Sequence, residues 1–452
     1  MKHLRQLAVA CVLLGAWASV ALAQTSPALT LDYTMFKLPN GMTVILHEDH
    51  STPIVSVNVW HNVGSARELP GRTGFAHLFE HLMFMGSGHV KYGQFDDLLE
   101  DVGGTSNAST GADQTNYWIN VPSNALELAL YLESDRLGFL LDAMSPQTVD
   151  AQRDVVKNER RQRVENVPYG MAGVTLGEML YPAGHPYHWP VIGYMPDLTA
   201  ASYDDVVAFF KKYYVPSNTS LTIAGDIDSA SARKLVEKWF SDIKPGPVVE
   251  PITIPGVALS SVQKKTITDR VQFPRLYLAW LTPPFLTPGD SALDVLSTVL
   301  AGGRSSRLYK RLVYDTQIAQ SVSARQQSQN LSSQFVIEAT PRPGHTVDEI
   351  KAIIDEEIAR IQREAPSEHE VQRGVNQFEA SYYDRLERVG AFGGKADQLN
   401  GYFTRTGDPD YFNEDVARYR SLSPSDIQAA AFTFLPVDRR VELTVVPDAE
   451  SK

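Results

Sequence analysis

An α+β fold built from two homologous halves is what this sequence predicts, and three observations carry the prediction. Strand-like alternation and helical periodicity interleave along all 452 residues. A proline-rich stretch without helical period, Lys244–Ser261, interrupts them near the middle. The order of elements before that stretch then returns after it. Each half is expected to be an α/β-sandwich-like unit, a mixed sheet with helices packed on one face, and the pair to form a clam-like chain. The boundaries fall at 24–245 for the first half, 246–261 for the linker and 262–452 for the second half.

The elements follow in order. Tyr33–Leu38 and Met42–His47 read as strands around Pro39-Asn40-Gly41, a strong hairpin turn. Ile54–Val63 alternates as a half-buried strand, and Thr73–Phe84 is amphipathic with a helical period. Phe95–Val102 reads as helix, Gly103-Gly104 as a turn, and Ala112–Val121 as a strand. Leu126–Leu140 and Ser145–Val164 are long helices, and the Tyr203–Tyr213 helix leads through Pro216-Ser217-Asn218 into the strand Thr219–Ala224. Beyond the linker come strands Val262–Thr268 and Leu276–Trp280, helices Ser291–Leu300, Val347–Glu364 and His369–Leu386, and a closing strand Val441–Val446.

Composition narrows the function classes. A hydrophobic content of 43% and a charged content of 21% are ordinary for a globular protein. The net charge of −12, with no basic stripe, offers nucleic acid no footprint. Residues 1–23 read as an export signal: Lys2 and Arg5, an apolar run from Leu7 to Val20, then Ala21-Leu22-Ala23 before Gln24. Cleavage would take the net charge from −12 to −14 and leave no stable membrane span, whereas retention would make the segment an anchor. A periplasmic or secreted location is expected. The single cysteine, Cys11, lies inside the signal, so the mature chain has no internal disulfide and no Cys-ligated zinc.

The chemistry concentrates in His77-Leu-Phe-Glu80-His81. At i and i+4 on a helix, His77 and His81 can point at one atom, with Glu80 at the edge of that face. The spacing is the inverted zinc-protease motif, H-x-x-E-H. Its flanks Phe75, Leu78, Phe79, Leu82, Met83 and Phe84 predict burial, where unpaired polar groups are costly and a bound divalent metal removes the cost. A catalytic site needs a third protein ligand. His185 and His188 sit in a Pro/Gly-rich loop suited to structural or rim roles, and His47, His50 and His61 read as surface groups. A carboxylate on Ser145–Val164 is the better candidate; Glu159 lies 78 residues after His81, with Glu165 nearby.

Several further motifs occur in a fixed order: Asn107-Ala108-Ser109, Val155-Val156-Lys157-Asn158-Glu159, His185-Pro186-Tyr187, Pro190-Val191-Ile192-Gly193, Tyr213–Asn218 and Gly225-Asp226. With His77–His81 they make the chain, from about Leu31 to Val446, resemble the pitrilysin family of metallopeptidases, which includes insulin-degrading enzymes and mitochondrial processing peptidases. The resemblance implies one Zn2+ per chain held by His77, His81 and Glu159, with Glu80 as general base. It implies that Asn107, Ala108 and Ser109 belong to an edge strand that binds extended peptide substrate.

Two departures stand out. The family's glutamate seven residues before the third ligand, which supports the metal ligands, is Gln152 here. The family's arginine and tyrosine of the second half, which bind substrate and stabilise the oxyanion, fall at Val313 and Gln320 when the chain is anchored on Gly302–Leu308. Arg307 and Tyr314 share the seven-residue spacing but are out of register. The missing pair points to a homologous subunit that supplies it, or otherwise to a homodimer. A non-catalytic assembly or peptide-binding subunit on the same fold is the alternative.

Overall fold

Gly41 takes the positive φ (+95°) that the predicted hairpin needs, and β1 (Thr34–Lys37) and β2 (Thr43–Glu48) pair antiparallel around it. The computed structural model describes residues 29–448; the expected signal at 1–23, with Cys11, lies outside them. After β3 (Ile54–His61) come α1 (Phe75–Leu82), α2 (Gln94–Asp101), β4 (Thr105–Thr110) and β5 (Thr115–Pro122). The first half continues through α3 (Leu126–Ala143), α4 (Pro146–Arg160), α5 (Met171–Leu180), α6 (Met195–Ala200), α7 (Tyr203–Tyr213), β6 (Thr219–Gly225) and α8 (Ser229–Phe240). Residues 241–262 carry neither helix nor strand. The second half runs β7 (Gln263–Asp269), β8 (Arg275–Thr282), α9 (Asp290–Ala301), β9 (Ala319–Gln327), β10 (Ser333–Pro341), α10 (Val347–Arg363), α11 (Glu368–Leu386), α12 (Lys395–Thr406), α13 (Phe412–Arg420), α14 (Pro424–Phe434) and β11 (Val441–Pro447).

Duplication is explicit in the two sheets. The first has the order β1-β2-β6-β3-β5-β4 and the second β7-β11-β8-β10-β9, so the second repeats the first without its leading strand. In both, an early strand runs parallel to the last one, β2 with β6 and β7 with β11, while the other pairs are antiparallel. Helix α1, which carries the histidines, occupies the position of α9 in the second sheet's connectivity. Helix α9 has no such motif.

Each half also lends a helix to the other. Helix α12 packs on β2, β3 and β6 of the first sheet, and α5 packs on β8 and β11 of the second. Fully buried Asn400 on α12 donates to Asn58 O (3.1 Å) and Asn58 Oδ1 (2.9 Å), while Ser220 Oγ donates to Asn400 Oδ1 (2.5 Å). One-face packing therefore describes only the helices each sheet owns. The exchanged helix covers the other face, which explains why the inner strands are buried on both sides.

Three expectations need correction. His61 is 1% exposed, with Nδ1 2.8 Å from Thr219 Oγ1, and His47 is also buried, with Nδ1 2.8 Å from Asp32 O. Both lie on interior strands, so neither is a surface group; His50 alone is exposed, beside Asp226. The strand expected from Ala112 starts at Thr115, because Gly111–Gln114 forms the turn between β4 and β5. Strands β9 and β10 had no clear sequence signal. β9 is an edge rich in Ser, Gln and Arg rather than β-branched residues.

Candidate metal centre

Helix α1 is fixed by its apolar stripe. Phe75, Leu78, Phe79 and Leu82 recur at i, i+3, i+4 and i+7 and are buried. Phe79 stacks on Phe209 (5.4 Å) and Tyr214 (5.1 Å), so the helix cannot rotate without breaking aromatic packing. His77, Glu80 and His81 are left on the remaining side. At the N-terminus the Glu68 carboxylate accepts from Gly74 N–H (2.9 Å) and Ala76 N–H (2.8 Å), satisfying donors that a helix start leaves unpaired.

The Pro190–Gly193 motif clamps both helices that carry the candidate ligands. Gly74 has φ +89°, and a Cβ on Gly193 would lie 2.5 Å from Gly74 backbone, so neither position tolerates a side chain. Tyr194 N–H donates to Thr73 Oγ1 (2.9 Å) just before α1. Arg160, at the end of α4, donates to Gly193 O (2.6 Å). Ser145 caps the start of α4, accepting from Thr148 N–H, with Pro146 at the first helical position.

This packing brings Glu159 against the histidines. Glu159 Oε2 lies 3.1 Å from His81 Nε2 and 3.7 Å from His77 Nε2, and one ligand atom from each of the three residues falls within a 4.8 Å span. Tetrahedral zinc with N and O ligands about 2.0–2.1 Å away separates its ligand atoms by roughly 3.3–3.5 Å, so the three residues fit such an ion. Burial and the neighbouring His81 hold the His77 imidazole well below its ordinary range, which keeps it neutral as a ligand must be. Arg163 pairs with Glu159 Oε1 (3.0 Å), leaving Oε2 for the histidine side.

Glu80 stands beside this cluster rather than in it. Its Oε2 accepts from Thr110 Oγ1 (2.6 Å), and burial pushes its carboxyl above the usual range while that hydrogen bond opposes the shift. Thr110 ends β4, which among the described residues pairs only with β5 and forms an edge of the first sheet. On β4, Asn107 and Ser109 are exposed and Ala108 is buried toward α1. Asn107 Oδ1 accepts from Ala108 N–H (2.8 Å).

The remaining candidates lie elsewhere. The described hydrogen bond of Gln152 runs to Met85 Sδ (2.7 Å) rather than to a candidate ligand, and among the described residues buried His77 Nδ1 has no partner. Val313 packs against the core of the second half, and Gln320 on β9 donates to Pro341 O (2.9 Å). Arg307 is held by both oxygens of Glu370 (2.7 and 2.9 Å), and Tyr314 is 73% exposed. His185 Nδ1 accepts from Tyr187 N–H (3.0 Å) and His188 Nδ1 lies 2.7 Å from Tyr181 O, both local structural bonds.

Thr110 and Arg163 are the two site residues that motif reading passed over. Thr110 was findable, two residues after Ala108 and so on the same strand face. Arg163 follows Glu159 at i+4, the ordinary helical ion-pair spacing.

A family model described as insulinase (peptidase family M16) matches residues 43–171, and one described as peptidase M16 inactive domain matches residues 200–378. The chain is 29% identical over 358 residues to zinc protease PqqE of Helicobacter pylori, covering 77% of this chain and 79% of that protein. It is 24% identical over 358 residues to the probable mitochondrial-processing peptidase subunit beta of Arabidopsis thaliana, covering 76% and 66%. The crystal structure of a protease from Helicobacter pylori matches with a TM-score of 0.85 and 25% identity, covering 93% of this chain and 100% of that one.

Proposed function

Because the chain belongs to the insulinase peptidase family, M16, we propose that it is a zinc-dependent endopeptidase acting on peptides or unfolded polypeptides, and that it is the metal-bearing subunit of a two-subunit enzyme. The observation that carries this reading is the convergence of His77, His81 and Glu159 on one point, with Glu80 alongside. These three side chains would hold the ion; two imidazoles and a carboxylate suit zinc among several divalent metals. When bound, zinc would lower the pKa of a water molecule and polarise the scissile carbonyl.

The chain's own groups would do the rest. Glu80, oriented by Thr110, takes a proton from the attacking water and returns it to the leaving amine. The free edge of β4, with Asn107, Ala108 and Ser109, adds an extended peptide as a further strand through backbone hydrogen bonds. Such bonds tolerate many sequences, which suits an endopeptidase of broad scope.

Dependence on a second subunit is supported by what stands at Val313 and Gln320, and by the commitment of Arg307 to Glu370. The Arabidopsis relative is itself named as a subunit. We assign the chain to the periplasm or exterior on its N-terminal signal, with domain boundaries at 24–245, 246–261 and 262–452. The test is peptide hydrolysis by the zinc-loaded chain alone, with a co-expressed homologue, and as Glu80→Gln. Activity restored by the homologue and abolished by Glu80→Gln is the expected result. Full turnover by the homogeneous chain alone would reject the two-subunit arrangement, and no turnover in any mixture would reject the peptidase.

A further inference from the structure

Three exposed residues of β4 share a face with three residues of β5 that lie under cover. Thr105 pairs with Asn120, Asn107 with Trp118 and Ser109 with Asn116. Residues directly opposite in an antiparallel pair point to the same side of the sheet. That side faces away from α1, against which Ala108 is buried. On β5 it is covered by residues 390–397 of the second half. A Cβ on Gly390 would collide with Asn120 Oδ1 and Ser56 Oγ, and Asp397 accepts from Asn116. Between them the Phe392 ring meets the Trp118 ring edge to face, 5.7 Å between centroids. Asn116 and Trp118 are buried, whereas Thr105, Asn107 and Ser109 are exposed, so the cover ends between β5 and β4.

The segment that presents Phe392 is tightly built. Ala391 (φ +63°) and Gly393 (φ +76°) flank it in the left-handed region, which costs energy for any residue with a Cβ. Gly393 N–H donates to Asp397 Oδ2 (2.7 Å), Lys395 N–H to Arg388 O (2.8 Å) and Ala396 N–H to Val389 O (3.0 Å). A Cβ on Gly394 would collide with Gly390 O, so the turn closes on itself. Its product is an aromatic ring, 38% exposed, held on Trp118 beside the uncovered face of β4. Asp397 is occupied by Trp60 Nε1 (3.1 Å), Asn116 and Gly393, so what this rim offers a ligand is the apolar ring of Phe392 over Trp118. Strain retained to hold a hydrophobic ring toward solvent marks a residue that is used.

We propose that Phe392 and Trp118 form an apolar subsite for one side chain of the bound peptide, the one lying across β4 from Asn107. The proposal rests on the peptidase reading. A peptide added to the edge of β4 continues the pleat, so its side chains point alternately toward α1 and toward the second half. The residue opposite Asn107 belongs to the second set and stands two strand spacings from Trp118, roughly 9–10 Å. A long apolar side chain leaning over Asn107 meets the Phe392 ring, whereas alanine falls short. Backbone bonds along β4 accept any sequence; this contact adds a preference for a bulky apolar residue at one position.

The test uses the zinc-loaded full chain carrying Glu80→Gln, and fluorescence anisotropy with labelled peptides of one mixed polar sequence. Each peptide carries a single Phe or, in its control, Ala, moved along the sequence one position at a time. The expected result is binding on the order of tenfold tighter for Phe than for Ala at one position and not at its neighbours. That preference should fall below about twofold when Phe392→Ala is added, and Phe392→Leu should keep part of it. Phe392→Gln keeps bulk over Trp118 and should show the same loss, which guards the test against misfolding of Phe392→Ala. Equal binding of Phe and Ala throughout, a preference that survives both Phe392→Ala and Phe392→Gln, or no binding of any peptide would overturn the subsite. So would an unchanged preference with loss of the co-purifying homologue, which would make Phe392 a subunit contact. Cleavage of an unfolded polypeptide by the active chain with its homologue is scored separately, so loss of the subsite and loss of the peptidase reading give different results.

Discussion

Thr110 Oγ1 donates to Glu80 Oε2 at 2.6 Å, joining the last residue of the free sheet edge to the proposed general base. The same hydroxyl sits 3.5 Å from Ala76 O, at the preceding turn of α1. One side chain therefore sets the distance between the strand that would carry the peptide and the carboxylate that would take the proton. Thr110→Val keeps shape and removes the donor. It is expected to lower kcat about tenfold, a fraction of the 10²–10⁴ typical of general-base catalysis, with KM unchanged. Thr110→Ser should retain most of kcat. An equal loss in both variants, or a change confined to KM, would remove the hydroxyl from this role.

Metal retention separates the three ligands from the base. His77→Ala, His81→Ala and Glu159→Ala each delete one of only three donors, so each purified variant should carry far less than one zinc per chain by elemental analysis. Glu80→Gln should keep the full complement, because Glu80 bonds to Thr110 and is not in the cluster. Zinc loss from Glu80→Gln to the same degree as from His81→Ala would show that the roles are misassigned.

How much of this was legible in the sequence depends on the range of each interaction. His77, Glu80 and His81 act within one helical turn, so periodicity alone puts them on one side of α1. Glu159 needed the motif context, because what brings it to His81 is a loop: Arg160 on Gly193 O, and Gly193 on Gly74. That contact spans more than a hundred residues and leaves no local pattern. The burial of His61 was invisible for the same reason. Its ring packs against Tyr117 and Tyr214, both far along the chain, while α12 from the other half covers the opposite face of β3 at Asn58 and Trp60. Local alternation marks β3 as a strand but cannot say that both its faces are covered.

Asn400 is the point where that exchanged helix is held. Its amide serves Asn58 O, Asn58 Oδ1 and Ser220 Oγ at once, with no exposure to solvent. Asn400→Leu fills a similar volume but strands these groups, at about 1–3 kcal/mol for each unsatisfied buried partner. The urea midpoint should fall with little change in slope, corresponding to a loss of roughly 2–4 kcal/mol. An unchanged midpoint would mean that apolar packing alone anchors α12.

Asp294 on α9 gives the fold a pH dependence of defined sign. Burial pushes its carboxyl up to about 7 from an ordinary 3.8; Asp290 and Asp415 raise it further, while the hydrogen bond from Tyr419 OH (2.7 Å) and the Arg418 charge oppose them. Between these two values the folded chain binds more protons at this site than the unfolded chain does. Stability contributed here therefore falls as pH rises from about 4 to about 7 and is flat above. Asp294→Asn preserves an oxygen for the Tyr419 hydroxyl and cannot ionise, so it should lose that slope. Measured by urea unfolding at pH 5 and pH 8, the variant should gain about 2 kcal/mol on the native chain at the higher pH, a partial share of what the shift allows because Asp294 is not fully enclosed. Parallel pH profiles for the two proteins would place the proton elsewhere in the Asp290–Asp415–Arg418 cluster.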